Sequence, residues 1–411
     1  MGVDTKSVLV VGGGLAGLRA CEGLRSLGFD GRIVLAGAEA HLPYDRPPLS
    51  KQFLAGEWPE ERLALRSAGS LEALGLETHL GPDFSARALD LERRVVHFAG
   101  GESVAFDGLV VATGAEPRHL PGASELPQAH VLRTVEDARA LRRVLGGGAR
   151  LLVVGAGFVG LEVASTAVGL GAEVDVVDPL AYPLERVLGP SLGDAVRRLH
   201  EERGVRFHLR SSLASAVPSK GGTAVCELSD GAVVDADVIL VGIGVSPSVG
   251  WLLGSGLNAG PDGVLCDSSL VAAPAVVVAG DLARFPPPGG GPRTVRVEHR
   301  TTAAELGEHA ARSLLAEMRG VEAPRASFET VFYVWSDQCG TKIQALGLPS
   351  GEDEVRVVEG SAEEHRLVAC YGREGRLTGV VAFNRPRLLM KFRPLLERGA
   401  TFADAVALEL S

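Results

Sequence analysis

Residues 8–17 read Val8-Leu9-Val10-Val11-Gly12-Gly13-Gly14-Leu15-Ala16-Gly17. An unbroken run of branched apolar residues fits a strand covered on both faces, as in a parallel sheet. The glycines follow without a spacer, and Leu15, Leu18, Cys21 and Leu24 then recur at helical spacing. Gly28 ends that helix, and Arg32 to Ala36 supplies the next strand. This is a βαβ unit with its glycines in the first turn. It recurs: Leu151-Leu152-Val153-Val154 runs into Gly155-Ala156-Gly157-Phe158-Val159-Gly160, followed by a helix carrying Leu161, Ala164, Val168 and Leu170. Gly171 stops that helix, and Val174 to Val177 is its second strand. Gly12 and Gly155 lie 143 residues apart. That is a domain length, so the copies belong to separate folds rather than to a short repeat.

Working outward, Leu109-Val110-Val111-Ala112-Thr113-Gly114 is another strand entering a small-residue turn, and Glu116-Pro117 and Pro121-Gly122 mark a crossover. Val238 to Gly244 reads as the matching strand of the second fold, and Val276 to Asp281 as one more buried strand ending in an acid. Phe285 to Pro292 is rich in Pro and Gly and is expected as an exposed loop. Beyond about Thr330 short strands follow at 331–335, 355–358, 366–370 and 377–383, with a helix expected over 387–397. The chain therefore reads as α/β, with two Rossmann-like dinucleotide-binding domains and a C-terminal α+β domain. The expected cuts assign 1–115 and 245–325 to the first fold, 116–244 to the second and 326–411 to the third.

Composition narrows the function. With 411 residues, 46% hydrophobic and 22% charged, the chain has room for two or three well-packed domains and is not disordered. A net charge of −10 argues against nucleic acid as a partner. No stretch approaches the length of a membrane span, and the N-terminus reads as carrying no leader, so no membrane partner is expected. The five cysteines, Cys21, Cys226, Cys266, Cys339 and Cys370, have no close pairing, which points to reduced thiols in the cytoplasm and to no metal site.

The glycine spacing has a mechanical reading. Gly12 and Gly155 allow the tight turn, Gly14 and Gly157 let a pyrophosphate approach the backbone, and Gly17 and Gly160 let helix pack on strand. The helix N-terminus then faces the phosphates. An acid ending the second strand is expected on ribose hydroxyls: Asp178, 23 residues after Gly155, and Glu39, 27 after Gly12. No Arg or Lys lies between Asp178 and Glu185 to neutralise a 2′-phosphate, so NADH is expected over NADPH. Two dinucleotide folds in one chain suggest FAD held in the first and NADH visiting the second, with hydride passing from nicotinamide C4 to flavin N5.

A resemblance then becomes specific. His41-Leu42-Pro43-Tyr44-Asp45-Arg46-Pro47-Pro48-Leu49-Ser50-Lys51, the Ala112-Thr113-Gly114 turn, Val131-Leu132-Arg133-Thr134, Ala279-Gly280-Asp281, Arg296-Val297-Glu298-His299 and Trp335-Ser336-Asp337-Gln338 occur in this order. With the two glycine motifs, they resemble the putidaredoxin reductase and dioxygenase ferredoxin reductase family, whose fold is glutathione-reductase-like. The resemblance implies that Gly12, Gly14, Ala16 and Gly17 bind the FAD pyrophosphate, Glu39 its ribose, and that Arg46, Phe84, Thr113, Gly114, Arg133, Gly280, Asp281, Glu298, His299, Arg300 and Trp335 contribute to the cofactor site. Gly155, Gly157, Gly160 and Asp178 would hold NADH, and Lys51 would lie near flavin N5, paired with Glu162 as the catalytic couple. Arg300 and Cys339 stand where relatives carry aromatics.

The missing dithiol directs electrons outward. The resemblance implies a small iron–sulfur ferredoxin as acceptor, serving a haem monooxygenase or a ring-hydroxylating dioxygenase. Rubredoxin or a small quinone-like acceptor is the near alternative; a flavoprotein whose NADH-dependent shape change signals to a partner is the distant one. A third is an NAD-binding protein without flavin. Arg293 and Arg296, and Arg385, Arg387, Lys391 and Arg393, are candidate contacts for an acidic ferredoxin.

Overall fold

The computed structural model describes residues 6–122, 125–219, 221–290, 293–320 and 325–410. They divide into two compact units: 1–45, 63–116 and 246–330 form the first; 46–62, 117–245 and 331–411 the second.

The first unit is built on a six-stranded sheet. Strand Ser7–Val11 lies at its centre and pairs in parallel with Arg32–Gly37 on one side and Gly108–Val111 on the other. Leu76–Leu80 extends the first side; Val276–Val278 and the antiparallel edge Val271–Ala273 extend the second. Counted outward, this is the doubly wound order in which ligands bind beyond the strand C-termini. Val8–Val11, Ile33–Ala36 and Leu109–Val111 are all buried, which is why these strands read as continuous apolar runs. Helices Leu15–Ser26 and Arg300–Met318 approach closely, with Gly307 against the Ala16 carbonyl and Gly23 against Ala311. Phe285 departs from the loop expectation: it is buried and bridges to Val295, because the chain turns back there to pair. Gly291 and Pro292 of that segment lie outside the described residues.

The second unit repeats the parallel plan. Arg150–Val154 pairs with Glu173–Asp178 and Val238–Val241, and Arg206–Leu209 and Ala129–His130 complete five strands. Residues 333–383 add an antiparallel five-stranded sheet. Its strand Arg366–Arg373 is apolar on both faces for a physical reason. Leu367, Ala369 and Tyr371 join the core of the parallel sheet, whereas Val368 and Cys370 join a second core closed by Leu389, Phe392 and Leu395. The helix expected over 387–397 is two short ones, Pro386–Met390 and Arg393–Glu397. Pro394 lacks an N–H to give Met390, and its ring would meet that carbonyl in a continuous helix.

Candidate functional site

In the first unit the glycine turn divides its labour as the spacing anticipates. Gly12 has φ +127°, and a Cβ there would enter the Ala112 carbonyl; a Cβ on Gly17 would enter the Gly12 carbonyl. Gly14 differs. Its backbone is extended and a Cβ would meet no atom within 4 Å. It caps helix Leu15–Ser26 without any side-chain hydrogen bond, so the helix N-terminus stays open for an anion. At Gly280, with φ +83°, an added Cβ would lie 3.0 Å from the Ala16 methyl.

Around this turn, Glu39 accepts a hydrogen bond from the Tyr44 hydroxyl. Thr113 Oγ1 donates to the Ser248 carbonyl at 2.9 Å and accepts from Trp251 Nε1 at 3.3 Å. Phe84 ends a short 3-10 turn, edge-on to His79 and Phe98. Arg300 opens the long helix, and Asp45 holds its guanidinium at 2.6 Å. Arg300, where the resemblance implies an aromatic, is thus an ion-pair partner of the PYDRPP stretch. Arg296 bonds the Asp281 carbonyl at 2.8 Å and pairs with Glu298 at 2.7 Å. Two buried polar atoms at the start of this helix, His299 Nδ1 and Thr302 Oγ1, have no protein partner. Such orphans are costly unless a bound group satisfies them, so this end of the unit fits a polar cofactor.

In the second unit Gly155, at φ +105°, faces the Gly242 carbonyl, and Gly160 is pressed on the Gly155 carbonyl. Gly157 caps helix Phe158–Gly169 with extended backbone, no side-chain cap, and only the Gly242 oxygen near a Cβ at 3.9 Å. Asp178 does more than end its strand. Its two oxygens accept the Ala156 N–H at 2.7 Å and the Leu180 N–H at 2.8 Å, fixing the turn. Each carboxylate oxygen keeps acceptor capacity for a ribose hydroxyl.

The Lys51–Glu162 pair is formed within this unit, Nζ to Oε2 at 2.6 Å, with side-chain exposures of 11% and 8%. Glu162 also accepts from Ser50 Oγ, and from Ser336 Oγ at 2.6 Å. The 47–51 segment is tied down by Thr166 Oγ1, which donates to the Ser50 carbonyl at 2.8 Å. Arg46 Nη1 donates to the Arg133 carbonyl at 2.6 Å, and Asp137 holds the Arg133 N–H. Trp335 stacks on Tyr333, centroids 5.9 Å apart. Among the candidate docking cations, Arg385 is locked onto Glu359, and Arg393 pairs with Glu397. Arg387 and Lys391 are exposed, as is Arg293 of the first unit.

Ser50, Ser336 and Gln338 fall inside motifs quoted above, yet residue type alone gave them no role. His200 carried no signal. Burial pushes His200 and His299 down to about 4. Unfolded, each titrates near about 6.5, so across that interval the unfolded chain binds more protons. Stability is therefore complete above about pH 6.5 and falls as pH drops toward about 4. A urea midpoint followed on acidification checks this; a flat profile contradicts it.

Residues 6–307 match the pyridine nucleotide-disulphide oxidoreductase family, and 333–410 match the reductase C-terminal family. The chain belongs to the pyridine nucleotide-disulphide oxidoreductases. Within that family it is 37% identical to the anthranilate 1,2-dioxygenase system ferredoxin–NAD(+) reductase component of Burkholderia cepacia, over 95% of this chain and 94% of that one. It is 34% identical to putidaredoxin reductase of Pseudomonas putida, over 92% and 89%. Its fold superposes on the reductase in the crystal structure of the covalent putidaredoxin reductase–putidaredoxin complex, with TM-score 0.89, 31% identity and coverage of 98% and 96%. The five cysteines are all free and buried, so the chain carries no dithiol. No helix among the described residues is long and apolar enough to cross a membrane.

Proposed function

We propose that the chain is an FAD-carrying, NADH-dependent ferredoxin reductase. The observation that carries this reading is the pair of glycine turns, each leaving an uncapped helix N-terminus with clear space before it, in a chain alike along its length to reductases of that kind. When bound, FAD accepts an electron pair as hydride and releases electrons singly.

The chain's own residues do the rest. The Gly12, Gly14 and Gly17 turn and Ala16 receive the FAD pyrophosphate at the open helix N-terminus, the Gly12 N–H itself being held by the Ala36 carbonyl at 2.8 Å, and Glu39 gives its carboxylate to ribose. Arg46, Phe84, Thr113, Gly114, Arg133, Gly280, Asp281, Glu298, His299, Arg300 and Trp335 complete the cofactor's surroundings, His299 as a neutral imidazole. Gly155, Gly157 and Gly160 receive NADH, with Asp178 on its ribose. Lys51, held by Glu162, supplies fixed positive charge where the flavin gains negative charge. By this reading FAD belongs to 1–115 and 245–325, NADH to 116–244, and a ferredoxin docks on 326–411, with the exposed Arg387 and Lys391 among its contacts. That ferredoxin serves a haem monooxygenase or a ring-hydroxylating dioxygenase. By this reading the enzyme works in the cytoplasm, which its five unpaired thiols support.

Asp178 sets the nucleotide. A 2′-phosphate brings about 1.5 to 2 negative charges, and one unit pair at about 4 Å costs about 4 kcal/mol at an effective dielectric near 20, before relaxation. NADH is expected to exceed NADPH in kcat/KM by about tenfold or more, about a third of that cost. Equal values would contradict the assignment. The function itself is tested by cytochrome c reduction through a panel of 2Fe-2S ferredoxins. Turnover with NADH and one of them is expected; turnover with rubredoxin alone, or with none, would favour the alternatives.

A further inference from the structure

Beyond Lys51 and Glu162 lies a row of polar side chains that the proposed chemistry does not use. Ser336, Gln338 and His200 are each no more than 1% exposed, inside the second unit. Buried polar groups on this scale are costly unless every one is paired. They are paired, and in one direction only. Ser336 Oγ donates its single hydrogen to Glu162 Oε1 at 2.6 Å, so it must accept from Gln338 Nε2 at 2.9 Å. That turns Gln338 Oε1 toward His200 Nε2, 3.0 Å away, and an amide oxygen can only accept. His200 must therefore carry its proton on Nε2. Its Nδ1 is left with a lone pair, 3.6 Å from the Cys339 thiol.

The row is also braced. Ser336 and Gln338 are two apart on strand Tyr333–Gln338 and so share a face. Cys339 occupies the hairpin at φ +50°, and its N–H donates to Ser165 Oγ at 2.7 Å. Ser165 stands one turn beyond Glu162 on helix Phe158–Gly169, which closes the circuit on the helix where it began. Phe207 meets the His200 ring edge to face at 6.2 Å.

We propose that Ser336, Gln338 and His200 are positioning residues: a one-way hydrogen-bond wire that fixes the Glu162 carboxylate so that Oε2 is presented to the Lys51 ammonium. Every donor in it points toward Glu162. Breaking a link leaves the next group without its partner and frees the carboxylate to turn. This rests on the reading that the Lys51–Glu162 pair serves flavin reduction, and the test separates the two claims.

The first arm uses the unmodified chain: ¹⁵N-histidine NMR is expected to show His200 as the neutral Nε2–H tautomer. The Nδ1–H tautomer would overturn the wire whatever the chemistry of the pair. The second arm compares His200→Leu, Gln338→Leu and the conservative His200→Gln, which keeps an N–H donor. The leucine variants are expected to lower the limiting rate of flavin reduction by about tenfold, as loss of an orienting partner does. Their NADH dissociation constant should be unchanged and their flavin midpoint potential displaced, with His200→Gln recovering most of the loss. Leucine variants that fold, bind FAD and keep wild-type rate and potential would overturn the proposal. A Lys51→Met enzyme reducing its flavin at the wild-type rate would instead overturn the role given to the pair.

Discussion

Gly14→Val is expected to yield a folded protein that has lost its yellow colour. The extended backbone at Gly14 suits any residue, and nothing in the chain lies within 4 Å of a new Cβ. The branched side chain would fill the space that a pyrophosphate needs, while the strand and helix around it keep their contacts. FAD affinity is expected to fall by about 100-fold or more, equivalent to about 3 kcal/mol of phosphate contacts. Gly17→Val should behave differently. Its side chain would be driven into the Gly12 carbonyl, so the helix must leave the strand and the protein should express poorly or unfold. The FAD content of soluble protein, set beside its circular dichroism, separates the two. A yellow Gly14→Val protein would show that the turn does not hold the cofactor.

Glu162→Leu is expected to lower stability steeply. Glu162 and Lys51 are both nearly buried, and removing the acid strands an ammonium together with the Ser50 and Ser336 hydroxyls. Breaking a buried ion pair from one side costs about 3–5 kcal/mol, whereas replacing both partners by apolar groups is often neutral. The double variant Lys51→Met, Glu162→Leu should therefore regain most of the lost urea midpoint while remaining slow in flavin reduction. Equal losses in the single and double variants would show that the pair is not a coupled unit.

The sequence discloses the parts of this molecule that local geometry dictates. Both glycine turns are legible because a carbonyl presses where a Cβ would be, at Gly12 and Gly155, and no other residue tolerates that. Strand Arg366–Arg373 is legible as apolar, but its two cores are not, since alternation vanishes when both faces are covered. The break at Pro394 is written in the chain and outweighs the apolar spacing around it. Arg300 reads as a departure from the family until Asp45, 255 residues away, is seen to pair with it. The wire is the least legible feature. Serine, glutamine and histidine are unremarkable types, and only the register of one strand against two helices turns them into a directed row. Their count in the sequence contains none of that.

The most direct test of the whole account is an anaerobic titration of the purified, FAD-saturated protein with NADH, followed in the visible spectrum. One equivalent of NADH is expected to bleach one bound flavin, and adding a 2Fe-2S ferredoxin should restore the colour as the ferredoxin is reduced. A protein that takes up no flavin, or whose flavin spectrum stays unchanged under excess NADH, would contradict it.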